Sequence, residues 1–474
     1  MTSSTTLTMV DGVRIVVPDS LNLITPYVLL EQQDWFEDEI KFLRRLLKPG
    51  QKIIDIGANY GVYALSMAKT VGPTGRVWAF EPASTTAQML AEGIKANDFS
   101  QVVLERSALS SSPGTAQLSL NENSELNALV HGAQPTSLSE AVPLTTLDEC
   151  LEKFGWQDIE FVKIDAEGEE ANILLGGERF FAELSPLVEY EIKAGADLHM
   201  ELVQNFAALG YASFRLVPGL DLLVPFDPES QPDGFLLNLF CCKPDRAEKL
   251  AAQGLLLDSI TNIPTAGTDL SEAITENIKG SIKYSWRHAI AKTPFGAQLA
   301  NVWEQTVATG SSAELLEALT FYAISQDSDL SSHQRFHALE TSFNLLKTLC
   351  ERDASYLRLA TLARVAQEYG ARSLAVSALG HLCNTFFEQR QVDPREPFLA
   401  PGGRFDSIPP REAIGDWVLA ATLEEYERIG SFSSFYPGCS AQQRLEIIRD
   451  MGFGSAEMNR RLQLLQQRFG LPSA

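Results

Sequence analysis

Short apolar runs and stretches of helical period alternate along the first half of this chain. Thr6 to Val17 reads as a hairpin around Asp11-Gly12, a strong two-residue turn signal. Trp35 to Leu47 has helical spacing, with Phe36, Ile40, Leu43 and Leu47 on one face, and Pro49-Gly50 ends it. An apolar strand-like run from Lys52 ends in Asp55 and leads through a glycine-spaced turn into the helix-like VYALSMAKTVG. Further strands are expected at Arg76 to Glu81, Gln101 to Glu105, Ile159 to Asp165 and Pro186 to Lys193. Helices are expected at Ser84 to Asn97, Glu169 to Ala182 and Leu198 to Leu209. Ser107 to Ser119 reads as short strands around Pro113-Gly114, and Leu144 to Phe154 as a short strand and a helix. Tyr211 to Val217 and Gly234 to Cys242 read as a closing antiparallel pair. Such alternation predicts an α/β domain with a mostly parallel sheet covered on both faces.

The pattern changes after about Lys243. Helical periodicity dominates to the end, at Ala313 to Ile324, His333 to Cys350, Tyr356 to Tyr369 and Ser373 to Glu388. The chain therefore divides into an α/β domain over residues 1–245 and an all-α domain over 246–474. Leu359, Leu362, Ala363, Gly370, Ala375 and Leu379 partly match one tetratricopeptide unit, whereas a solenoid needs about three or more, so an ordinary bundle fits equally well. Pro394 to Pro410 cannot be a helix; it is a long loop, packed by its own Phe398 and Phe405 or flexible.

The turn after Asp55 carries the first chemistry. A dinucleotide fingerprint starting at Gly57 requires glycine at 59 and glycine or alanine at 62, where the chain has Asn59 and Val62. The D-x-G-A-N-x-G pattern suits a ligand with an adenosine and an amino-acid end but no phosphates, namely S-adenosylmethionine. Arg76 to Glu81 is the next strand, and Glu81 stands where an acid accepts hydrogen bonds from both ribose hydroxyls. A second cluster follows at Phe161 to Gly168, FVKIDAEG. Strand alternation puts Phe161, Lys163 and Asp165 on one side, and charges in a strand buried on both faces are costly unless paired or bound. Asp165 falls on the ligand-binding rim, and Glu191 near the end of the next strand reaches the same rim or pairs with Lys163. Glu169 and Glu170 read as first-turn surface residues favoured by the helix dipole.

Composition narrows the partners. With 38 basic against 61 acidic residues and a net charge of −23, the chain offers no general field for a nucleic-acid backbone. Its six cysteines form no C-x-x-C pair or zinc spacing, so buried thiols in a reducing compartment are expected, and no metal site is. The first residues lack the basic and apolar regions of a secretory signal, and no run is long enough for a membrane span, which points to a cytoplasmic protein.

DIGANYGVY, AFEP, FVKIDAEGEE and PLVEYE, in that order, make residues 30–245 resemble the FkbM family of S-adenosylmethionine-dependent methyltransferases. The resemblance implies a Rossmann-like class I methyltransferase fold and O-methylation of a sugar, glycan or natural-product hydroxyl. It implies that Asp55, Gly57, Ala58, Asn59, Tyr60 and Gly61 hold the methionine end of the cofactor. Glu81 with Pro82 takes the ribose, Ser107-Ala108 lies at the adenine, and Asp165 sits beside cofactor and acceptor. Ala166 stands where the family often has valine, and the helical tail lies outside the resemblance. For the proton of the acceptor the candidates are Asp165, then Glu167 or Glu191, with Lys163 beside them and His131 last. An amine acceptor is disfavoured, because Asp165-Ala166-Glu167-Gly168 replaces the N/D-P-P-Y/F loop that clamps exocyclic amines. Two other readings remain: a metal-assisted O-methyltransferase, with Asp165 as a ligand, and a scaffold whose methyltransferase-like domain only binds or has lost its cofactor. The helical region is expected to recognise a large acceptor or to mediate homo-oligomer or protein contacts. Trp286, Trp303 and Trp417 are read as core residues before sugar platforms.

Overall fold

The computed structural model describes residues 3–130, 138–194, 197–257, 284–291, 293–310, 312–388, 392–410 and 414–470. They form two compact units, Met1–Leu216 with Leu223–Pro232 and Leu236–Gln253, and Val217–Leu222 with Asp233–Phe235 and Gly254–Ala474.

The first unit opens with the expected hairpin, β1 (Ser4–Thr8) and β2 (Arg14–Pro18). Two helices follow, α1 (Ile24–Gln32) and α2 (Asp38–Leu46). Then β3 (Lys52–Ile56), α3 (Val62–Val71), β4 (Arg76–Phe80), α4 (Ser84–Ala96) and β5 (Val102–Glu105) alternate. A four-stranded sheet, ordered β6-β9-β7-β8, comprises β6 (Ala108–Leu109), β7 (Gly114–Ser119), β8 (Ala128–Leu129) and β9 (Ser139–Thr145). The chain continues through α5 (Leu147–Phe154), β10 (Phe161–Ile164), α6 (Glu170–Leu175), α7 (Glu178–Glu183) and β11 (Leu187–Glu191). After a small pair, β12 (Lys193–Ala194) and β13 (Asp197–Leu198), come α8 (Glu201–Ala208), β14 (Ala212–Val217), β15 (Leu222–Pro225), β16 (Asn238–Cys242) and α9 (Pro244–Ala252).

The main sheet is ordered β15-β14-β16-β11-β10-β3-β4-β5, with β5, β4, β3, β10 and β11 parallel and β16 antiparallel to β11 and β14. This is the expected α/β class, with a mostly parallel sheet. Its central strands are buried along nearly their whole length, as parallel strands covered by helices must be. The strand order reverses between β3 and β10, and the crevice at their carboxyl ends is where such sheets bind ligands.

Three local readings change. The helix expected from Trp35 begins at Asp38, because Arg44 grips Asp34 through two 2.7 Å hydrogen bonds and the Asp34 carboxylate accepts the Trp35 amide, turning residues 34–37 off the helix axis. The helix expected over Glu169 to Ala182 is two, broken at Gly176-Gly177. A Cβ on Gly176 would lie 2.1 Å from the Ser110 carbonyl oxygen, and the Asp148 carboxylate accepts the Phe180 amide to start α7. Helix α1 escaped the pattern because it is buried almost all round and shows no apolar stripe.

The second unit is helical among its described residues from Trp286 onward, with main helices Pro294–Thr309, Ala313–Ser325, Ser332–Arg352, Tyr356–Tyr369, Arg372–Glu388, Ile414–Ile429, Gln442–Asp450 and Ala456–Phe469. Ser331 and Gln334 form a capping box, and Gly370 ends its helix in the left-handed conformation. The loop from Pro394 to Pro410 is of the packed kind. Phe398 and Phe405 are buried against Trp417, and Gly403–Ser407 makes a 3-10 turn. Trp286, Trp303 and Trp417 are core residues; the indole N–H groups of Trp303 and Trp417 donate to the carbonyls of Pro394 and Ile408, each at 2.8 Å.

Trp417→Ala removes the ring on which Phe295, Phe398 and Phe405 converge. It is expected to destabilise the helical unit by about 3–5 kcal/mol. Denaturant unfolding followed by tryptophan fluorescence and circular dichroism checks this, and a loss below about 1 kcal/mol would contradict the assigned core.

Candidate active site

The crevice floor begins with a close approach. Gly57 has φ +81, and a Cβ there would lie 1.7 Å from the Asp165 carbonyl oxygen, so only glycine lets the turn after β3 lie against the end of β10. The amides of Gly57 and Ala58 donate to the Phe80 carbonyl, and the Asp165 amide donates to that of Ile56. Three strand ends are thereby tied together. Asn59 is also left-handed, at φ 49, a conformation asparagine tolerates better than most residues.

Glu81 sits at the end of β4 with its carboxylate held by two backbone donors, the Asn59 amide at 2.9 Å and the Ala83 amide at 2.8 Å. Burial, only partly offset by these amides, pushes its carboxyl up to about 7. Asp55 is 1% exposed, and neither of its carboxylate oxygens has a hydrogen-bond partner. The Ala64 amide in the first turn of α3 is directed at it without closing a bond of normal geometry. Burial, with the Asp165 charge working against that of Lys163, lifts Asp55 to about 6.

Lys163 is the centre of this electrostatics. In register it lies between Asp55 of β3 and Glu189 of β11, all three buried. Its Nζ is 2.5 Å from Asp165 Oδ2 and 4.6 Å from the centre of the Tyr63 ring, whose hydroxyl donates to Glu37. Burial opposes its charge, but the carboxylates of Asp165, Glu189, Glu37 and Asp55 outweigh burial and hold it above the ordinary lysine value. Glu191 makes no ion pair with Lys163 among the described residues; the partner is Asp165. Glu191 and Glu167 instead crowd Asp165, the acid oxygens of the three lying within 4.8 Å of one another. Burial first, then the Asp165 charge, lifts Glu167 to about 8 and Glu191 to about 10.

The open crevice over this floor encloses roughly 1040 Å³, including its solvent-filled mouth. Asp55, Gly57, Ala58, Asn59, Tyr60, Glu81, Pro82, Ser107, Ala108, Lys163, Asp165 and Glu167 all line it. Two residues singled out in the sequence do not. Gly61 caps α3 and is packed from behind, its absent Cβ replaced by Leu90 Cδ1, and Glu191 reaches the cluster from the next strand. His131 lies outside the described residues. Glu169 and Glu170 are buried rather than on a solvated first turn. Glu170 accepts the amides of Ala166 and Gly168, and Glu169 accepts the Ser110 hydroxyl. Sequence reading missed Thr25, Trp35, Glu37, Tyr63 and Glu125 on the walls, and Glu189 beneath. Only Glu189 left a signal: an acid inside the apolar run LVEYE, as unfavourable there as Lys163.

The Glu81 carboxyl yields a pH prediction. Because its folded value, about 7, exceeds the ordinary 4.5, it binds its proton more tightly folded than unfolded. Its contribution to stability is therefore fully present below about 4.5 and lost as pH rises through about 7, a change of order 3 kcal/mol. Without added ligand, Glu81→Gln is expected to gain stability relative to the parent as pH rises from 4.5 to 8. Urea unfolding at the two pH values measures this, and a pH-independent difference would rule it out.

No curated protein matches the chain. Among solved structures it is similar to methyltransferase FkbM from Methylobacillus flagellatus KT, with 16% identity, a TM-score of 0.29, and coverage of 41% of this chain and 44% of that one. It therefore spans less than half the length of that protein. It is also similar to an S-adenosylmethionine-dependent O-methyltransferase from Thermotoga maritima, with 13% identity, TM-score 0.26, and coverage of 50% and 77%. A Streptococcus mutans protein solved in complex with S-adenosylhomocysteine shows 12% identity, TM-score 0.27, and coverage of 43% and 95%. The family model for the methyltransferase FkbM domain matches residues 55–213, from the last charged residue of β3 to the start of β14. The α/β unit of this chain carries a methyltransferase FkbM domain.

Proposed function

We propose that the crevice binds S-adenosylmethionine and catalyses methyl transfer to a hydroxyl of a sugar, glycan or natural-product acceptor. The observation that carries this reading is the Glu81 carboxylate, fixed by two amides at the end of β4 beside the Gly57 turn, with lone pairs left for a diol. The residues present fit such a cofactor. Asp55 is a buried carboxylate without a hydrogen-bond partner, suited to an ammonium group, and Gly57 keeps the turn free of a side chain. Glu81 suits the ribose hydroxyls, and Ser107-Ala108 the adenine.

When bound, the cofactor supplies an electrophilic methyl on a sulfonium. The chain must hold the acceptor oxygen in line with it, and such orientation is worth on the order of 7 kcal/mol or more. Asp165 takes the acceptor proton, held in place by Lys163, which is a positioning residue. Acids greatly outnumber the single lysine among the lining residues, so a phosphate-rich acceptor would be repelled.

Calorimetry with S-adenosylmethionine is expected to give one saturable site per chain, and Glu81→Ala to weaken it at least tenfold. Absence of saturable binding would favour a scaffold role. Asp165→Asn is expected to bind cofactor within a few-fold of the parent while turnover falls by about 10²–10⁴; near-normal turnover would remove Asp165 as the base. The acceptor class is tested with methyl-labelled S-adenosylmethionine and fractionated cell extract. Label is expected in a glycan or small-metabolite fraction, and label in RNA or protein alone would overturn the hydroxyl reading.

A further inference from the structure

We propose that Asp165, Glu167 and Glu191 form a binding site for one divalent cation of the Mg²⁺, Mn²⁺ or Ca²⁺ class. From the sequence only Asp165 stands as a ligand in the metal-assisted reading, because Glu191 belongs to a different strand and joins the others only through the strand order. Lys163 and Glu189 are partners in the β10–β11 register; two residues further along the same face come Asp165, just past β10, and Glu191, opposite Asn238 of β16. Glu167 completes the set because the chain folds back. Its φ is 49, and Glu170 pins the turn by accepting the Ala166 and Gly168 amides.

The three carboxylates offer oxygens within 4.8 Å of one another. Trans ligands are about 4.2 Å apart on Mg²⁺ and about 4.6–5.2 Å apart on Ca²⁺. Oxygens within 4.8 Å of one another can share one ion of either size. An all-oxygen, all-carboxylate set selects hard cations over zinc or copper. Lys163 occupies Oδ2 of Asp165, leaving the other oxygen free to join the set, while Glu167 and Glu191 have neither a hydrogen bond nor an ion pair among the described residues.

A separate observation points to missing positive charge. Asp55 does not count toward it, its carboxylate being taken by the cofactor's ammonium group. Glu189, fully buried on the same sheet face as Glu191, is unpartnered at both oxygens. One lysine serves this whole group. If the methyltransferase reading on which this use of the ion rests is right, the cation would hold the acceptor oxygen and favour its deprotonation, and with the ion bound Asp165 serves as a ligand in place of the base.

The test uses the full chain stripped with a chelator, then titrated with Mn²⁺ while free Mn²⁺ is followed by electron paramagnetic resonance. One Mn²⁺ per chain is expected, displaced by Mg²⁺ or Ca²⁺. Glu167→Gln and Glu191→Gln are each expected to weaken binding at least tenfold, with Glu248→Gln on exposed α9 leaving it unchanged. No saturable binding by the parent, or equal binding by both site variants, would overturn the site. S-adenosylmethionine binding is measured in parallel. Cofactor binding without Mn²⁺ binding overturns the metal site alone, and Mn²⁺ binding without cofactor binding supports the site while the methyltransferase reading fails.

Discussion

Taking an ammonium out of water into a sheet interior costs several kcal/mol unless opposite charges surround it, and here the strand order supplies them. Lys163 lies on the middle of three adjacent parallel strands, with an acid beside it on either side and its own Asp165 two residues ahead. None of these carboxylates is a near neighbour of the lysine in sequence except Asp165. The polar floor of the crevice therefore exists only when β3, β10 and β11 pair in this register. A one-residue slip of β3 or β11 would send that strand's acid to the opposite face from Lys163.

The same dependence explains what could be read from the chain and what could not. The β3 turn was legible because its constraint is local. Gly57 must be glycine for its backbone angle, and Asp55 and Glu81 end their own strands. Alternation likewise exposed Lys163 and Asp165 as charges in a buried run. The partner of Lys163 was not legible, since Glu191 could equally reach the rim or pair with the lysine, and the distances give the pairing to Asp165. Wall residues such as Thr25, Trp35 and Glu37 left no pattern, because they reach the crevice from α1, buried almost all round, and from the turn before α2, whose course is set by the Asp34–Arg44 pair.

In the helical unit, amphipathic spacing located four of the eight main helices described, and it could not say whether the Pro394–Pro410 segment packs or floats. The answer lies in aromatic partners distant in sequence, with Phe295 and Trp417 closing over Phe398. A loop with no secondary structure to recommend it thus becomes part of the core.

Part of the crevice wall comes from a different stretch of chain than the floor. The floor lies within residues 55–213, whereas Thr25, Trp35 and Glu37 precede it. What fits opposite the Gly57 turn can then change by substitution in a segment that the domain signature does not include. That part of the wall and the floor are free to evolve at separate rates, and kinship judged from the floor alone says little about the preference of this wall.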